Sequence, residues 1–567
     1  MRHMRLMAGL LALLIVAAAC GSGDEASSEP DVGLSGDRST SATFAASATT
    51  MAAGSDGAAL APSQPATTAA TAENPASTAD RTEAAGSVTD AQLYEPPREN
   101  PPEGVITQDY GTNPFVATTQ DSLSTFALDV DTASYTLARN WVQAGEVPLP
   151  ELIRVEEFVN FFDQDYPSPG DGTFAVFADG APTPFTQSSR NHMVRVGIKA
   201  REVAETVRPD AVLTFVVDAS GSMREGNRME MVKGALATLV DQLRPTDTVA
   251  IVAYDTNAWV VLDPTAAENR GLILDRIASL RPGGSTNAEA GLTMGYDIAA
   301  STFESGLINR VILASDGVAN VGDTSPEGIL YRIQEQASNG INLVTVGVGL
   351  GNYNDVLLEQ LANDGDGFYA YVDTLAEAER LFVEGLTGTL LTVAEEAKVQ
   401  VEFNPQTVSS YRLLGFENRA IADQDFRNDT VDAGEIGAGH EVTALYEVTL
   451  ARPLSELGSA QLATVNLRWR EPGTAVFSEF NGLLPATVLD TSFTVAEPRF
   501  QLDVLAAAYA EVLRQSPWAN EVTYSWVAEE AGRLASQLND PDVWEFAELT
   551  GLAAALAGEP VAVLGQP

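Results

Sequence analysis

Two hydrophobic periods divide the chain. From Ala211 onward, short apolar runs alternate with stretches whose apolar residues recur at three-and-four spacing. The run Val212–Val217 is apolar except at Thr214, the pattern of a strand buried on both faces, as in a parallel sheet covered by helices. Strands are predicted at Val212–Asp218, Thr248–Asp255, Trp259–Leu262, Val311–Asp316, Ile341–Gly347 and Phe368–Val372. Helices are predicted at Asn227–Leu243, Arg270–Leu280, Asn287–Phe303, Pro326–Asn339, Asp355–Asn363 and Leu375–Leu386. Alternation with connections of helical length calls for an α/β domain built on a doubly wound, mostly parallel sheet. Its one antiparallel hairpin is the pair Thr248–Asp255 and Trp259–Leu262.

After Gly388 the period falls to two. Ala397–Phe403, Ser410–Gly415, Glu441–Leu450 and Ala463–Trp469 alternate apolar and polar residues between turn signals, as in a β-sandwich. Phe174–Phe177 and His192–Lys199 alternate in the same way ahead of the α/β segment and have no partners nearby. They are expected to complete the sandwich, which makes the α/β domain an insertion in it; domain ends commonly lie close enough for this. Phe500–Gln515, Tyr524–Gln537 and Val543–Ala557 are amphipathic helices, expected to form a small C-terminal bundle on the sandwich. Near the start of the ordered chain, Ser124–Val130 reads as a strand, Ala133–Ala144 as a helix capped by Asp131 and Thr132, and Ile153–Phe162 as a second helix. The resulting domain plan is a leader (1–20), a tether (21–112), an N-terminal region (113–169), flanking strands (170–205), the α/β domain (206–390), the sandwich (391–498) and the helical region (499–567).

Candidate chemistry sits where predicted strands end. Asp218 closes the first strand, and Ser220 and Ser222 follow in a small loop, at the strand edge where open α/β sheets bind ligands. One carboxylate and two hydroxyls, with no soft donor beside them, suit a hard divalent cation. Asp and Ser are also ordinary strand-to-helix turn residues, so this triplet needs support. Two later positions supply it: Thr286, in the Gly-rich loop RPGGSTNAEAGL, and Asp316, which ends the strand RVILASD before Gly317. Asp-x-Ser-x-Ser, then loop Thr, then strand-end Asp-Gly, in this order, resembles the metal-ion-dependent adhesion site of von Willebrand factor type A domains. The segments from NPFVATTQ to FFDQDYP and from GVGLGNYND to EAERLF, with the helical C-terminus, resemble a bacterial subgroup of that family.

Other motifs take plainer readings. Gly347, Gly349 and Gly351 fail the spacing of a dinucleotide-binding loop and read as a tight turn. Asn363–Gly367 lacks the spacing of a calcium loop and is also a turn. Asp129 and Asp131 are read as a strand end and a helix cap rather than as a second cation site.

Charge narrows the partners. Lys+Arg number 32 against Asp+Glu 78, a formal net charge of −46, which repels nucleic acid and anionic membrane faces. The single cysteine, Cys20, excludes a disulfide framework. Met1–Arg5 is basic, Leu6–Ala19 is apolar and too short for a span of about 20 residues, and small residues precede Cys20. This is a signal peptide resembling a bacterial lipobox, with Ala rather than Leu at the third position before the cysteine. Cys20 is therefore the expected lipidation site. An ordinary secretory leader cut after Ala19 is the other reading. Gly21–Thr89, rich in Ala, Ser, Thr, Gly and Pro, has too little apolar surface to order itself and is expected to be a tether. The protein is expected to be exported and held by lipid at the outer leaflet or the periplasmic face.

The resemblance implies that Ser220, Ser222 and Thr286 give hydroxyl oxygens to Mg²⁺ or Mn²⁺, with Asp218 and Asp316 holding the ion directly or through water. An acidic residue of a protein or peptide partner then completes the coordination shell. The expected function is non-enzymatic binding at the cell surface. A metal-assisted hydrolase is the alternative; His3, His192 and His440 all fall outside the α/β segment, leaving Asp255 and Glu289 as candidate bases. An assembly factor for an ATPase is a third reading, set against the export signal.

Overall fold

The computed structural model describes residues 42–43, 49–51, 108–186, 188–317, 326–349, 355–489 and 492–560. The leader, Cys20, most of the tether and Gly351 lie outside the described residues. Within the predicted tether, β1 (Ala42–Thr43) and β2 (Thr49–Met51) are strands, so the stretch is not tether throughout. They pair with sheet edges described below. The N-terminal region supplies β3 (Val116–Ala117), β4 (Leu123–Ala127), α1 (Ala133–Gln143) and α2 (Val155–Asn160). Strands β5 (Phe174–Pro182) and β6 (Asn191–Ala200) follow.

The α/β domain then runs β7 (Ala211–Asp218), α3 (Arg228–Gln242), β8 (Thr248–Tyr254), β9 (Ala258–Ala266), α4 (Arg270–Ser279), α5 (Ala288–Ser301), β10 (Ile308–Ser315), α6 (Pro326–Ser338), β11 (Asn342–Val348), α7 (Asp355–Asn363) and β12 (Tyr369–Val372). Its sheet has the order β12-β11-β10-β7-β8-β9, parallel except for the β8–β9 hairpin. Central β7 is buried along its whole length because helices cover both faces. Leu213, Phe215 and Val217 pack with α3, α4 and the chain after β12. On the other face Val216 packs with α5, α7 and α1. This is the doubly wound α/β architecture expected.

After β12 the predicted single helix Leu375–Leu386 is broken. It becomes α8 (Leu375–Glu379), a π-helical turn over Arg380–Glu384 and α9 (Leu386–Leu390). The Gly385 N–H reaches five residues back to the Arg380 carbonyl, at 2.9 Å, a wider loop than an α-helix closes.

The sandwich continues with β13 (Thr392–Phe403), β14 (Val408–Leu414), β15 (Gly434–Gly437), β16 (Glu441–Leu450), β17 (Gln461–Arg470) and β18 (Phe477–Pro485). Strands β15 and β18 have no counterpart among the predicted elements. One sheet has the order β1-β5-β6-β16-β14-β3; the other is β15-β13-β17-β18-β2, with β4 also on β13. Strand β6 lies antiparallel to β16 from Asn191↔Thr449 to Lys199↔Glu441. Chain from before and after the α/β domain thus shares one sheet. The two crossings sit side by side: Ala200 N–H bonds the His440 carbonyl at 2.9 Å, and Ala438 N–H bonds the Leu391 carbonyl at 2.8 Å.

Helices α10 (Pro498–Leu513), α11 (Tyr524–Leu538) and α12 (Pro541–Leu556) share one core with α1, α2 and the sandwich residues Ala181, Met193, Leu414 and Leu445. Arg139 of α1 ties the parts together, at 2.6 Å from Asp373, 3.3 Å from Glu377 and 2.9 Å from Glu545. The Asp131–Thr132 cap is corrected: Thr132 makes no capping bond. Asp131 instead accepts the Tyr369 N–H at 3.0 Å, and Arg419 pairs with Asp129 and Asp131 at 3.1 and 3.2 Å. The same guanidinium also lies 3.2 Å from Glu359. The Asn363–Gly367 turn is tight because Gly367 lies on the Leu343 backbone, where a Cβ would overlap the carbonyl. Among the described residues no helix is long and apolar enough to cross a membrane.

Candidate metal site

Adjacent parallel strands bring the two carboxylates together. In the β10–β7 register Ala314 faces Val217, so Ser315 falls level with Asp218 and Asp316 emerges one residue beyond. The Asp218 side chain is fully buried. Its Oδ1 accepts the Ser220 N–H at 2.8 Å, and its Oδ2 accepts the Ser315 hydroxyl at 2.8 Å and the Tyr254 hydroxyl at 3.3 Å. Burial pushes the Asp218 carboxyl up to about 6, opposed by the Ser220 hydrogen bonds. Burial likewise raises Tyr254 well above its ordinary range, which keeps its hydroxyl a donor.

The hydroxyls bridge the carboxylates. Ser220 Oγ and Ser222 Oγ are 3.0 Å apart, and Ser222 Oγ donates to Asp316 Oδ1 at 3.1 Å. Residues 94 positions apart in sequence are therefore joined directly. The other Asp316 oxygen, Oδ2, lies 2.6 Å from Arg228 Nη1.

Thr286 is held near this group by its loop rather than by its side chain. Gly221 N–H bonds the Gly284 carbonyl at 3.1 Å and Gly283 N–H bonds the Ala219 carbonyl at 2.7 Å, lacing the two loops together. Gly284 has φ +68, and any side chain there would run into the Asp255 carboxyl. Asn287 caps α5 by accepting the Ala290 N–H at 3.1 Å, which fixes where Thr286 leaves the loop. The Thr286 side chain is half-buried and makes no hydrogen bond to the other four. Of the five residues singled out in the sequence, four form one hydrogen-bonded chain and the fifth sits on a loop fastened to it. Asp255 accepts the Asn257 N–H at 3.0 Å and serves the turn.

The donor set fits a small hard ion. Its oxygens are two carboxylates and three hydroxyls, and among the described residues Asp218 has hydrogen-bond donors but no ion-pair partner, a charge buried without a counter-ion there. Among the described residues no three His, Cys, Asp or Glu side chains converge to hold a metal, so an ion here relies on the hydroxyls. Such a set with few formal charges is of the Mg²⁺ class.

Three contributors escaped the sequence reading: Ser315, Tyr254 and Arg228. Ser315 could have been found as the neighbour of Asp316, and Tyr254 as the residue that ends the strand beside β7. Arg228 carries a weaker signal, a cation on the first turn of a helix, where the dipole disfavours it.

Three family models match the chain. The family model described as von Willebrand factor type A domain matches residues 213–384. The one described as von Willebrand factor matches 106–195. The C-terminal model of uncharacterized protein YfbK matches 388–556. Uncharacterized protein YfbK of Escherichia coli strain K12 is 34% identical over 471 residues, covering 79% of this chain and 80% of its own length. Uncharacterized protein sll0103 of Synechocystis is 26% identical over 325 residues, covering 54% of this chain and 72% of its own length. Human inter-alpha-trypsin inhibitor heavy chain H4 is 31% identical over 221 residues, covering 37% of this chain and 23% of its own length. Among solved structures, a von Willebrand factor type A protein from Catenulispora acidiphila aligns with a TM-score of 0.40 at 16% identity, over 69% of this chain and 91% of that one.

Proposed function

The chain belongs to the YfbK family of von Willebrand factor type A proteins, and from that premise we propose that it binds a protein or peptide partner through a divalent cation. Asp218, Ser220, Ser222, Thr286 and Asp316 would hold Mg²⁺ or Mn²⁺, which when bound supplies a localised positive charge at the sheet edge. Neutral hydroxyls leave that oxygen cage short of negative charge, so an aspartate or glutamate of the partner is drawn to complete it. The observation that supports this reading best is the Ser222 hydroxyl, which joins Ser220 to Asp316 directly beside the buried Asp218. Tyr254 and Ser315 orient Asp218, and the backbone bonds at Ala219 and Gly221 tie the loop that carries Thr286 to the Asp218 loop.

Lipidation at Cys20 would anchor the protein at the cell surface, with the tether carrying the folded part outward. The role is binding rather than catalysis. The test is retention of surface-extract proteins by the purified full-length chain. Retention in Mg²⁺ that is lost in chelator, and lost with Asp218→Ala, is the expected result. Retention unchanged by chelator overturns the reading.

A further inference from the structure

Asp316 already has a cation. Arg228 is the first residue of α3, and its side chain is 5% exposed. Nη1 lies 2.6 Å from Asp316 Oδ2 and donates to the Ser222 carbonyl at 3.4 Å. Glu225, 3.7 Å away, is mostly exposed. A helix start is an unfavourable place for a positive side chain, because the dipole presents its positive end there. The approach is unusual too: Gly226 and Asn227 both take left-handed φ, +51 and +67.

The space for this arginine is bordered by Gly349. Gly349, just beyond β11, has φ +81, and a Cβ there would overlap the Arg228 side chain at Nε. This glycine belongs to the GVGLG run, whose spacing does not fit nucleotide binding. In the fold its missing Cβ leaves room for the Arg228 side chain, which reaches Asp316. Gly347, its companion in the motif, packs on the Tyr369 and Tyr371 rings.

We infer that Arg228 is a resident counter-charge that competes with the divalent ion for Asp316 and so sets the ion affinity of the site. The inference rests on the cation-site reading above and deepens it. With Arg228 in place, part of the Asp316 charge is already answered, and Asp218 and Asp316 offer an incoming ion less negative charge than the two carboxylates alone. The ion is then held weakly by the protein alone, and an acidic partner makes up the missing charge. Ion and partner bind as a pair, and a free surface does not stay loaded.

The test is Mn²⁺ titration of the full-length chain by calorimetry at fixed pH, without partner. Arg228→Gln keeps a donor for Asp316 and removes the charge, and it should bind Mn²⁺ at least tenfold more tightly than wild type. Arg228→Lys keeps the charge and should stay within about threefold of wild type, which separates charge from packing. Gly349→Ala, which pushes the arginine off its seat, should shift affinity in the same direction as Arg228→Gln. It also serves if Arg228→Gln does not fold, as judged by circular dichroism. Equal affinity in wild type and Arg228→Gln, or weaker binding in the variant, overturns the counter-charge role while leaving the site intact. No Mn²⁺ uptake by any of the four proteins overturns the site itself. Uptake by Arg228→Gln alone supports both.

Discussion

Ser222 is the residue through which the two halves of the candidate site communicate. Its hydroxyl touches Ser220 and Asp316 at once, yet it lies in a partly exposed loop, and the strands beneath do not depend on it. Ser222→Ala should therefore weaken Mn²⁺ binding at least roughly tenfold, as loss of a group at a metal site does. The fold should lose no more than about 1 kcal/mol, the worth of an ordinary hydrogen bond. Calorimetry and urea unfolding of the same preparation check both halves. Glu156 is a different case. It is buried on α2 and has no ion pair among the described residues, and burial, with Glu417 and Asp129 nearby, pushes its carboxyl up to about 7. A folded pKa above the unfolded one means proton uptake favours the native state. That stabilisation is complete below the ordinary carboxyl range and is lost as pH rises through about 7. Melting temperature should fall as pH rises from about 4.5 to about 7 and level off above that, and Glu156→Gln should flatten that step. A step equally steep in the variant would assign it to other groups.

At the scale of elements, close approach decides what substitution is tolerated. Helix α5 lies on β7 and β8 because Gly291 and Gly295 leave room for the Tyr254 ring and the Val216 methyl. Gly295→Leu should cost about 1–3 kcal/mol through overpacking, read as a lower urea midpoint. It should also disturb the Thr286 loop that leads into the helix. The strands of the α/β domain were readable from sequence because burial on both faces leaves an unbroken apolar run, as in Val212–Val217. Asp218, Ser220, Ser222 and Asp316 could be singled out because they close or follow such runs, and Thr286 because it lies in a Gly-rich loop ahead of a helix. Arg228 was not, since its role depends on Gly349, a residue over a hundred positions away. Strand β15 was missed because Gly434–Gly437 is glycine-rich and short, and β18 because Phe477–Pro485 alternates weakly. The break after Glu379 was hidden because Arg380–Glu384 keeps a helical pattern of apolar residues while its hydrogen bonding widens.

For the whole molecule, Arg139 is the residue that fastens the α/β domain to the helical region. It pairs with Asp373 and Glu377 on one side and Glu545 on the other. Arg139→Met strands the buried Asp373 carboxylate without its partner, a loss of about 3–5 kcal/mol for a broken buried pair. Urea unfolding should move to a lower midpoint and broaden or split as the two parts uncouple. An unchanged single transition would show that the shared apolar core of α1, α10 and α12 alone couples them. The two chain crossings between the α/β domain and the sandwich add a mechanical consequence. They enter β6 in one sheet and β13 in the other, both beside the Gly437–His440 turn. Each of these strands is hydrogen-bonded along both edges. A pull on the α/β domain would thus be divided between two sheets and directed along interior strands, loading whole ladders in shear instead of peeling them bond by bond.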